Sequence, residues 1–301
     1  MVHSLVTTGA FEIYGVMQKD GVTTLEKRLG STDELHGMLG FIDSIDVYNK
    51  KNTADKPSRD FSSKELVYRQ FLIYSTFYAA PAPVVICEGD TDNVYLTHAI
   101  RSLAAEFPDL AETKDGKIRL KIRLYKYPHS STGRILDLKD GGSGVLKNFI
   151  GTYRQQVNRF TAPGGLIHPV VILYDNDSGA KSIRGVIRSI ANKPLTGVEP
   201  FVHVVKNLYA LPTPLVGGAP ESDIEDCFDA ATKATVLEGK TFSNSNDIDP
   251  DKHYGKKVFA HRVVRLKADT IDFSGFRPLL TNLVAVINAH KAPVVPKPVG
   301  A

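Results

Sequence analysis

Acidic residues follow two short apolar runs of this sequence, and their types and spacing suit the binding of a divalent cation. The run VVIC ends at Glu88, and the run VVILY ends at Asp175 and Asp177. Residues two apart in an extended chain point the same way, so Asp175 and Asp177 can face one point. Gly89 and Gly179 follow the acids and allow backbone or ligand to approach closely. The pattern therefore predicts one shared site built from two strand ends.

The chemistry that such acids can do depends on a counter-charge. Ligands of an open parallel sheet bind outside the carboxyl ends of its strands. Carboxylates that converge there repel one another, and each is costly to bury without a partner. A divalent cation removes this conflict, and all-oxygen ligands favour Mg²⁺ or Mn²⁺ over zinc. Glu88, Asp175 and Asp177 are therefore predicted metal ligands.

Helix capping is the alternative explanation for acids at strand ends, because Asp and Glu often lie at helix N-termini. Asp90 or Thr91 could cap the helix after Glu88, and Ser178 could cap the helix after Asp177. One strand that ended this way would favour capping, whereas two strands that end alike favour a functional site. Asp92 lies four residues after Glu88, in the first turn of a predicted helix. It is either a second carboxylate beside the metal or an acid favoured by the helix dipole, and both interpretations stay open.

Strands and helices that would position the acids alternate from residue 83 onward. Strands are predicted at 84–88, 117–125, 169–174 and 201–205, and helices at 64–78, 91–107, 144–160, 180–192, 255–267 and 276–290. Near-continuous apolar strands are typical of parallel strands that are covered on both faces. Their alternation with helices implies βαβ units. The expected fold class is α/β, a parallel-core sheet flanked by helices, with a small N-terminal appendage.

Composition sets the broad class of the protein. The 301 residues are 42% hydrophobic and 23% charged, with a formal net charge of +4. This balance is ordinary for a globular protein and permits a nucleic-acid partner without requiring one. No apolar run approaches the roughly 18 residues of a membrane span. The N-terminus lacks the apolar core of a secretory signal. We therefore expect a cytoplasmic protein with no membrane partner.

Two motifs resemble the Toprim domain, a metal-dependent catalytic fold shared by topoisomerases, primases and several nucleases. They are E88-G-D-T-D92 and D175-N-D177. The resemblance implies that Glu88 is a general acid or base and that Asp175 and Asp177 hold Mg²⁺. We place Asp92 with Glu88 in the predicted catalytic set.

Two later segments resemble motifs of the overcoming-lysogenization-defect nucleases and their relatives. E221-S-D-I-E-D-C-F228 is similar to an acidic motif, which makes Glu225 or Asp226 a further metal ligand. The alternative is a capping box formed by Ser222 and Glu225. The segment from His253 to Val264 is similar to a late basic motif, which implies that Lys257 stabilises developing negative charge.

A closer match is to the C-terminal half of retron reverse transcriptases that carry a fused Toprim nuclease. The matching segments are K64-E-L-V-Y-R-Q-F-L-I-Y74, C87-E-G-D-T-D-N-V-Y-L96 and L35-H-G-M-L-G-F-I-D-S-I-D-V-Y48, the last similar to a polymerase thumb. The resemblance implies a Mg²⁺-dependent nuclease that is the effector of a retron anti-phage system. Its implied partners are DNA or RNA, and a reverse transcriptase with its RNA–DNA product. Because the Tyr-x-Asp-Asp box is absent, no polymerase activity is expected.

The resemblance and the linker pattern together divide the chain. Residues 1–50 resemble the end of a retron polymerase, including a possible helix at 34–46. Residues 51–80 are a polar linker with a connecting helix. The resemblance implies that residues 81–290 form a Toprim nuclease domain, and we expect residues 291–301 to be a Pro-containing flexible tail.

Basic residues alternate strictly with apolar residues in K117-I-R-L-K-I-R-L124. In a strand this spacing puts all of the cations on one face, namely Lys117, Arg119, Lys121 and Arg123. The row suits a nucleic-acid backbone, and the alternative is an edge strand that Lys and Arg protect from aggregation. Lys181 and Arg184 are predicted to stabilise phosphate charge or to be solvated helix positions. The loop D140-G-G-S-G144 either presents amides to a phosphate or is a flexible turn.

Two other function classes stay open. A phosphatase of the haloacid-dehalogenase type also uses Asp-x-Asp after a strand, with a nucleophilic aspartate. That motif usually opens its domain and precedes Thr or Val, whereas Ser178 follows Asp177 here. The other class is a non-catalytic module that binds nucleic acid and a polymerase. Topoisomerase chemistry is disfavoured because no region supplies the further domain with its nucleophilic tyrosine.

Overall fold

The structure is a computed structural model that describes residues 14–19, 22–27, 61, 63–127, 131–161, 164–245 and 247–291. The chain divides into two compact units, Met1–Phe71 and Leu72–Ala301. The boundary falls within the segment 51–80, where the sequence predicts a linker and a connecting helix. The possible helix at 34–46, most of the polar linker and the tail from residue 292 lie outside the described residues.

The described part of the first unit contains a hairpin and the start of a helix. Strand β1 (Tyr14–Lys19) pairs antiparallel with β2 (Val22–Lys27). Helix α1 (Ser63–Ile73) continues as a π-helical turn at Tyr74–Tyr78, which confirms the helix predicted at 64–78.

A five-stranded sheet forms the centre of the second unit, in the order β6-β3-β7-β9-β8. Its strands are β3 (Val84–Cys87), β6 (Arg123–Leu124), β7 (Val170–Tyr174), β8 (Val202–Val205) and β9 (Leu208–Pro212). The first four in spatial order are parallel, and β8 lies antiparallel at the edge. Every residue of β3, β7 and β9 is buried, as near-continuous apolar strands predict. The α/β class is confirmed.

Helices cover both faces of this sheet. The helices of the second unit are α2 (Asp90–Ser102), α3 (Ser131–Leu136), α4 (Ser143–Val157), α5 (Lys181–Ala191), α6 (Ala230–Lys233), α7 (Lys256–Val258) and α8 (Arg277–Lys291). Helices α2 and α8 pack on one face together with Val85 and Cys87. Helices α4 and α5 pack on the other face with Val84 and Ile86. The long helices agree with those predicted, except that a π-helical segment, Phe259–Val264, follows α7.

The single strand predicted at 117–125 is wrong. Residues Ala111–Lys114 form β4 and Lys117–Leu120 form β5, an antiparallel hairpin, and the chain then enters the main sheet as β6. Asp115 and Gly116 both have positive φ, of 54° and 69°, as a tight Asp-Gly hairpin turn requires. The hairpin is favoured over one long strand because β4 precedes β5 directly in sequence and a two-residue turn is enough to pair them.

The prediction also missed β9, the strand between β7 and the edge. Lys206, with φ of 56°, turns the chain back after β8, so that β9 pairs parallel with β7. Asn207 beside this turn is fully buried and donates from Nδ2 to the His168 carbonyl oxygen at 2.8 Å. In the described part of the chain no helix is both long and apolar enough to cross a bilayer.

Candidate active site

The acids predicted to act together lie at the point where the chain direction across the sheet reverses. Strands β3 and β7 are neighbours, but the helix after β3 packs on one face and the helix after β7 on the other. The two connections therefore separate and leave a crevice at the carboxyl ends of the strands, where ligands of open α/β sheets bind. Glu88 and Asp175 follow these two strands directly.

The two strand ends are joined by hydrogen bonds. The backbone N–H of Asp175 donates to Oε2 of Glu88 at 3.2 Å. Oδ1 of Asp175 in turn accepts from the backbone N–H of Ile224 at 3.1 Å. Three segments distant in sequence therefore meet at the crevice, one of them the acidic segment that contains Glu225.

The glycine loop before α4 also lies against Glu88. The N–H of Gly142 donates to the carbonyl oxygen of Glu88 at 2.8 Å. Gly141 has φ of +73°, and a Cβ there would overlap the same oxygen. Burial raises the pKa of the Glu88 carboxyl group, and the hydrogen bond from the N–H of Ser143 offsets part of that rise. The loop therefore has a defined place beside the crevice, and phosphate binding by its amides stays a prediction.

Asn176 fixes the direction of the aspartates on either side of it. Its side chain is buried and donates from Nδ2 to the Gly197 carbonyl oxygen at 2.7 Å. Arg184 donates to Oδ1 of Asn176 at 3.1 Å and to the carbonyl oxygen of Asp177 at 2.8 Å. Arg184 is thus bound to the turn that carries the aspartates, and its contact with nucleic acid stays a prediction. Lys181 is exposed.

Asp92 and Asp177 form the capping bonds at the starts of α2 and of the turn that leads into α5. The caps predicted at Asp90 or Thr91 and at Ser178 are therefore wrong. Oδ2 of Asp92 accepts from the N–H of Gly89 at 2.8 Å, at the start of α2. Oδ1 of Asp177 accepts from the N–H of Ala180 at 3.1 Å, in the turn before α5. Each cap occupies one carboxylate oxygen, so capping and a role at the crevice are compatible for both residues.

Glu225 is not a cap, and the capping box predicted for Ser222 and Glu225 is wrong. The box is formed one residue later, where the N–H of Asp223 donates to Asp226. Glu225 is only 1% exposed. Its Oε1 accepts from the Tyr95 hydroxyl at 3.2 Å, and its Oε2 lies 3.0 Å from the ammonium of Lys256.

Lys256 and Tyr95 are the site residues that the sequence reasoning missed. Lys257, the predicted cation, is exposed, and the ammonium that reaches the acids belongs to its neighbour. The segment similar to the late basic motif does reach the acids, through Lys256 rather than Lys257. Tyr95 lies in E88-G-D-T-D-N-V-Y-L96, one turn beyond Asp92, so helical spacing from the acids was a signal that could have found it.

The acid cluster at the crevice comprises Glu88, Asp92, Asp175, Asp177 and Glu225, and burial and mutual repulsion raise the pKa values of four of them. Burial raises the pKa of Asp175 to about 8, and the charges of Asp92 and Glu225 add to the effect. Burial likewise raises the pKa of Asp92 to about 7 against the bond from Gly89. The pKa values of Glu88 and Glu225 are also raised, first by burial. Ionisation of one of these acids therefore makes ionisation of its neighbours less favourable.

Lys256 is the cation that opposes this repulsion. Its positive charge lowers the pKa of Glu88, Asp92 and Asp175 relative to burial alone. Burial would lower the pKa of Lys256 itself, but the charge and hydrogen bond of Glu225 outweigh it and raise that pKa. One ammonium among five carboxyl groups leaves the cluster short of positive charge.

The donor chemistry of the cluster fits Mg²⁺ or Mn²⁺. Its donors are all carboxylate oxygens, the ligands that hard divalent cations prefer, and the raised pKa values of Glu88, Asp92, Asp175 and Glu225 mark a deficit of positive charge. Within the described ranges, however, no group of three or more His, Cys, Asp or Glu side chains is already arranged to hold a metal ion. Cation binding would therefore require these side chains to draw closer.

The predicted nucleic-acid-binding residues of 117–123 are all exposed, but they do not share one strand. Lys117 and Arg119 lie on β5, Arg123 lies on β6, and Lys121 lies in the bend between the two strands. Arg119 pairs with Asp115 at 3.3 Å. Lys121 donates to the carbonyl oxygen of Pro108 at 3.0 Å. A single straight row of cations is therefore not formed, although Lys117 and Arg123 stay exposed at its two ends.

Fold and site together define an α/β protein with a buried carboxylate cluster at the switch point of a mostly parallel sheet. No family model and no solved structure matches the chain. The assignment to Toprim domains and to retron reverse transcriptases therefore stays a prediction.

Proposed function

We propose that this protein is a Mg²⁺- or Mn²⁺-dependent nuclease of Toprim-like fold that hydrolyses phosphodiester bonds of DNA or RNA. The observation that carries the proposal is the hydrogen bond between the ends of β3 and β7, from Asp175 to Glu88. It supports a single pocket for acids that lie 87 positions apart in sequence. By the resemblance, the biological role is that of an effector in a retron anti-phage system, with a reverse transcriptase as partner.

The proposed roles follow from position and charge. Glu88, Asp175, Asp177 and Glu225 would hold the cation, which when bound polarises phosphoryl oxygens and neutralises their charge. Burial raises the pKa of Glu88, and a raised pKa makes a carboxylate a better proton acceptor.

Supporting residues set the positions of these groups. Lys256 and Tyr95 hold Glu225 in place from two sides. Asp92 joins the start of α2 to the crevice through its bond from Gly89. Phosphoryl transfer depends mainly on positioning and charge stabilisation, which this set of residues can provide.

A non-catalytic binding module is the second candidate, and the capping bonds favour it. Asp92 and Asp177 both cap helices, and capping alone requires no reaction. In such a module the acids would be structural, and their amide variants would retain binding of nucleic acid.

Cleavage of DNA, RNA and tRNA by wild type and by Glu88→Gln distinguishes the candidates. The matched control is Glu221→Gln, an exposed acid on the segment that leads to the cluster. We expect Mg²⁺-dependent cleavage by wild type and the control, and a loss of about 10²-fold or more in Glu88→Gln. Equal cleavage by all three excludes Glu88 from the chemistry. Nucleic-acid binding without cleavage by wild type selects the binding module, and turnover of p-nitrophenyl phosphate alone selects the phosphatase.

A further inference from the structure

An open cleft of about 780 Å³ lies at the end of α2 that is remote from the acid cluster. Its lining includes His98 and Arg101 of α2, Lys117 of β5, Arg265 and Asp269. Among the described residues that line the cleft, three cations face one acid. The cleft is therefore positively charged, in contrast to the crevice at the start of α2.

Among the described residues, the cations of this basic cleft have no acidic side chain within ion-pair distance. Nearby basic side chains do have acidic partners, which are Asp115 for Arg119, Glu106 for Arg277 and Asp109 for Lys291. Arg101, Lys117 and Arg265 are exposed, and in the described part of the chain none of them forms an ion pair. Three exposed and unpaired cations at one concave surface indicate a site for an anion.

The positive charges of the cleft also act on the neighbouring His98. Partial burial lowers the pKa of His98, and the charges of Arg101 and Arg265 lower it further against Asp269. The two guanidinium groups therefore act on the same point from different elements. Arginine pairs suit phosphate in particular, because each guanidinium can donate two parallel hydrogen bonds.

Two helical elements connect the cleft to the acid cluster. Helix α2 begins at the cluster, where Asp92 and Tyr95 lie, and reaches the cleft at Arg101. The second element begins with Lys256 at the cluster and ends just before Arg265. Nine residues of α-helix separate Asp92 from Arg101, a rise of about 14 Å.

We propose that the basic cleft binds backbone phosphates of the same nucleic acid whose cleavage is proposed above, and this inference rests on that proposed function. Successive phosphates of one strand are about 3.4 Å apart along a duplex axis. The cleft would therefore hold the strand about four base pairs from the bond at the acid cluster. Its cations supply affinity without sequence preference, because phosphate contacts carry no base information.

Salt-dependent binding tests this inference without any cleavage. A fluorescein-labelled 20-base-pair DNA duplex is titrated in EDTA, by fluorescence anisotropy, with full-length protein. The test variant combines Arg101→Ala, Lys117→Ala and Arg265→Ala. The control combines Arg154→Ala, Arg159→Ala and Arg188→Ala, which removes as many exposed cations from elsewhere on the surface. Both variants change the net charge equally.

Three lost phosphate contacts should reduce the slope of log affinity against log salt by about 2.7. Between about 50 and 200 mM salt, wild-type affinity should then fall about 40-fold more than that of the cleft variant. The control should retain the wild-type slope within about 0.9, the value for one contact. Far-UV circular dichroism spectra identical to wild type establish that both variants are folded.

A cleft variant with the wild-type slope overturns the inference. So does cleft-dependent binding of poly-glutamate with no cleft-dependent binding of nucleic acid, which would assign the surface to an acidic protein. The two proposals fail separately. If binding depends on the cleft but wild type does not cleave, the nuclease proposal is refuted and the cleft proposal is supported. If Glu88→Gln abolishes cleavage but binding does not depend on the cleft, the nuclease proposal is supported and the cleft proposal is refuted.

Discussion

Lys256→Met tests whether one ammonium balances the charge of the acid cluster. Glu225 is 1% exposed, and its partners are the Lys256 ammonium and the Tyr95 hydroxyl. Loss of one member of a buried ion pair costs about 3–5 kcal/mol, because the other charge is left without compensation. The Lys256 side chain is 35% exposed, so solvent already screens the pair in part. We therefore expect the free energy of unfolding to fall by about 2–3 kcal/mol at pH 8.

The loss should depend on pH in a defined direction. Without Lys256, the pKa of Glu225 rises further above its ordinary value of 4.5. The folded state then binds a proton that the unfolded state releases, so stability falls as pH rises from about 4.5 through the folded pKa. The difference between wild type and variant should accordingly be small at pH 5 and large at pH 8.

Urea unfolding at both pH values, followed by far-UV circular dichroism, measures the effect in a chain that contains no Trp. Lys257→Met is the matched control, since this exposed neighbour should change stability by less than about 0.5 kcal/mol. The double variant Glu225→Gln with Lys256→Met should recover part of the loss, because no buried charge remains. Equal effects of the two lysine substitutions, or a larger loss at pH 5 than at pH 8, would refute the assigned charge balance.

Three further predictions concern the surroundings of the crevice. Gly141→Ala should lower the free energy of unfolding in urea by at least about 2 kcal/mol, because the position combines a positive φ with a clash of the new Cβ at Glu88. The control is Gly144→Ala, whose Cβ meets no atom within 4 Å and which should change stability by less than about 1 kcal/mol. Similar losses in both variants would contradict the assigned contact. Asn176→Ala should cost about 2–3 kcal/mol in the same assay, because buried partners lose their hydrogen bonds; a neutral effect would contradict this. Mg²⁺ should raise the melting temperature more at pH 8.5 than at pH 6, because Asp175, with a pKa of about 8, must release its proton to bind a cation. A pH-independent rise in melting temperature, or an equal rise in Asp175→Asn, would contradict the role of Asp175 as a metal ligand.

Sequence pattern predicted the centre of the fold because the physical signal there is local. The runs VVIC and VVILY are apolar at every position, and only strands covered on both faces bury every side chain. Parallel strands of one sheet end at the same edge, so the sequence could place Glu88 and Asp175 at one edge, whereas the adjacency of β3 and β7 is set by tertiary structure. The meeting of Glu88 with Asp175 at that edge is observed.

The parts of the fold that the sequence pattern did not predict depend on which strands pair with each other. Residues 117–125 alternate as one strand would, yet the Asp115–Gly116 turn gave β5 a nearby partner and divided the run. β9 is as apolar as β7 but follows β8 after a turn at Lys206, without a helix between the strands. The βαβ pattern therefore gave no reason to expect a strand there.

The choice between Lys256 and Lys257 is also set by tertiary packing. Adjacent residues at a helix start point in different directions, and the rotation of α7 decides which of the two faces the cluster. Phe259, three residues after Lys256, is fully buried and packs edge-on against Tyr95, with ring centroids 5.9 Å apart. This aromatic contact fixes the rotation, and it joins residues that are remote in sequence.

Capping explains some of the acids at the crevice but not their burial. Asp229 caps α6 from an exposed position, with its Oδ1 2.7 Å from the N–H of Thr232, so a cap needs no desolvation. Glu225 caps no helix, and it is buried against a lysine and a tyrosine. A buried ion pair is a weak source of stability, and apolar residues of similar volume often replace one without loss. Groups with perturbed pKa values cluster at functional sites, so Glu225 supports the proposed site more strongly than either aspartate of D175-N-D177 does.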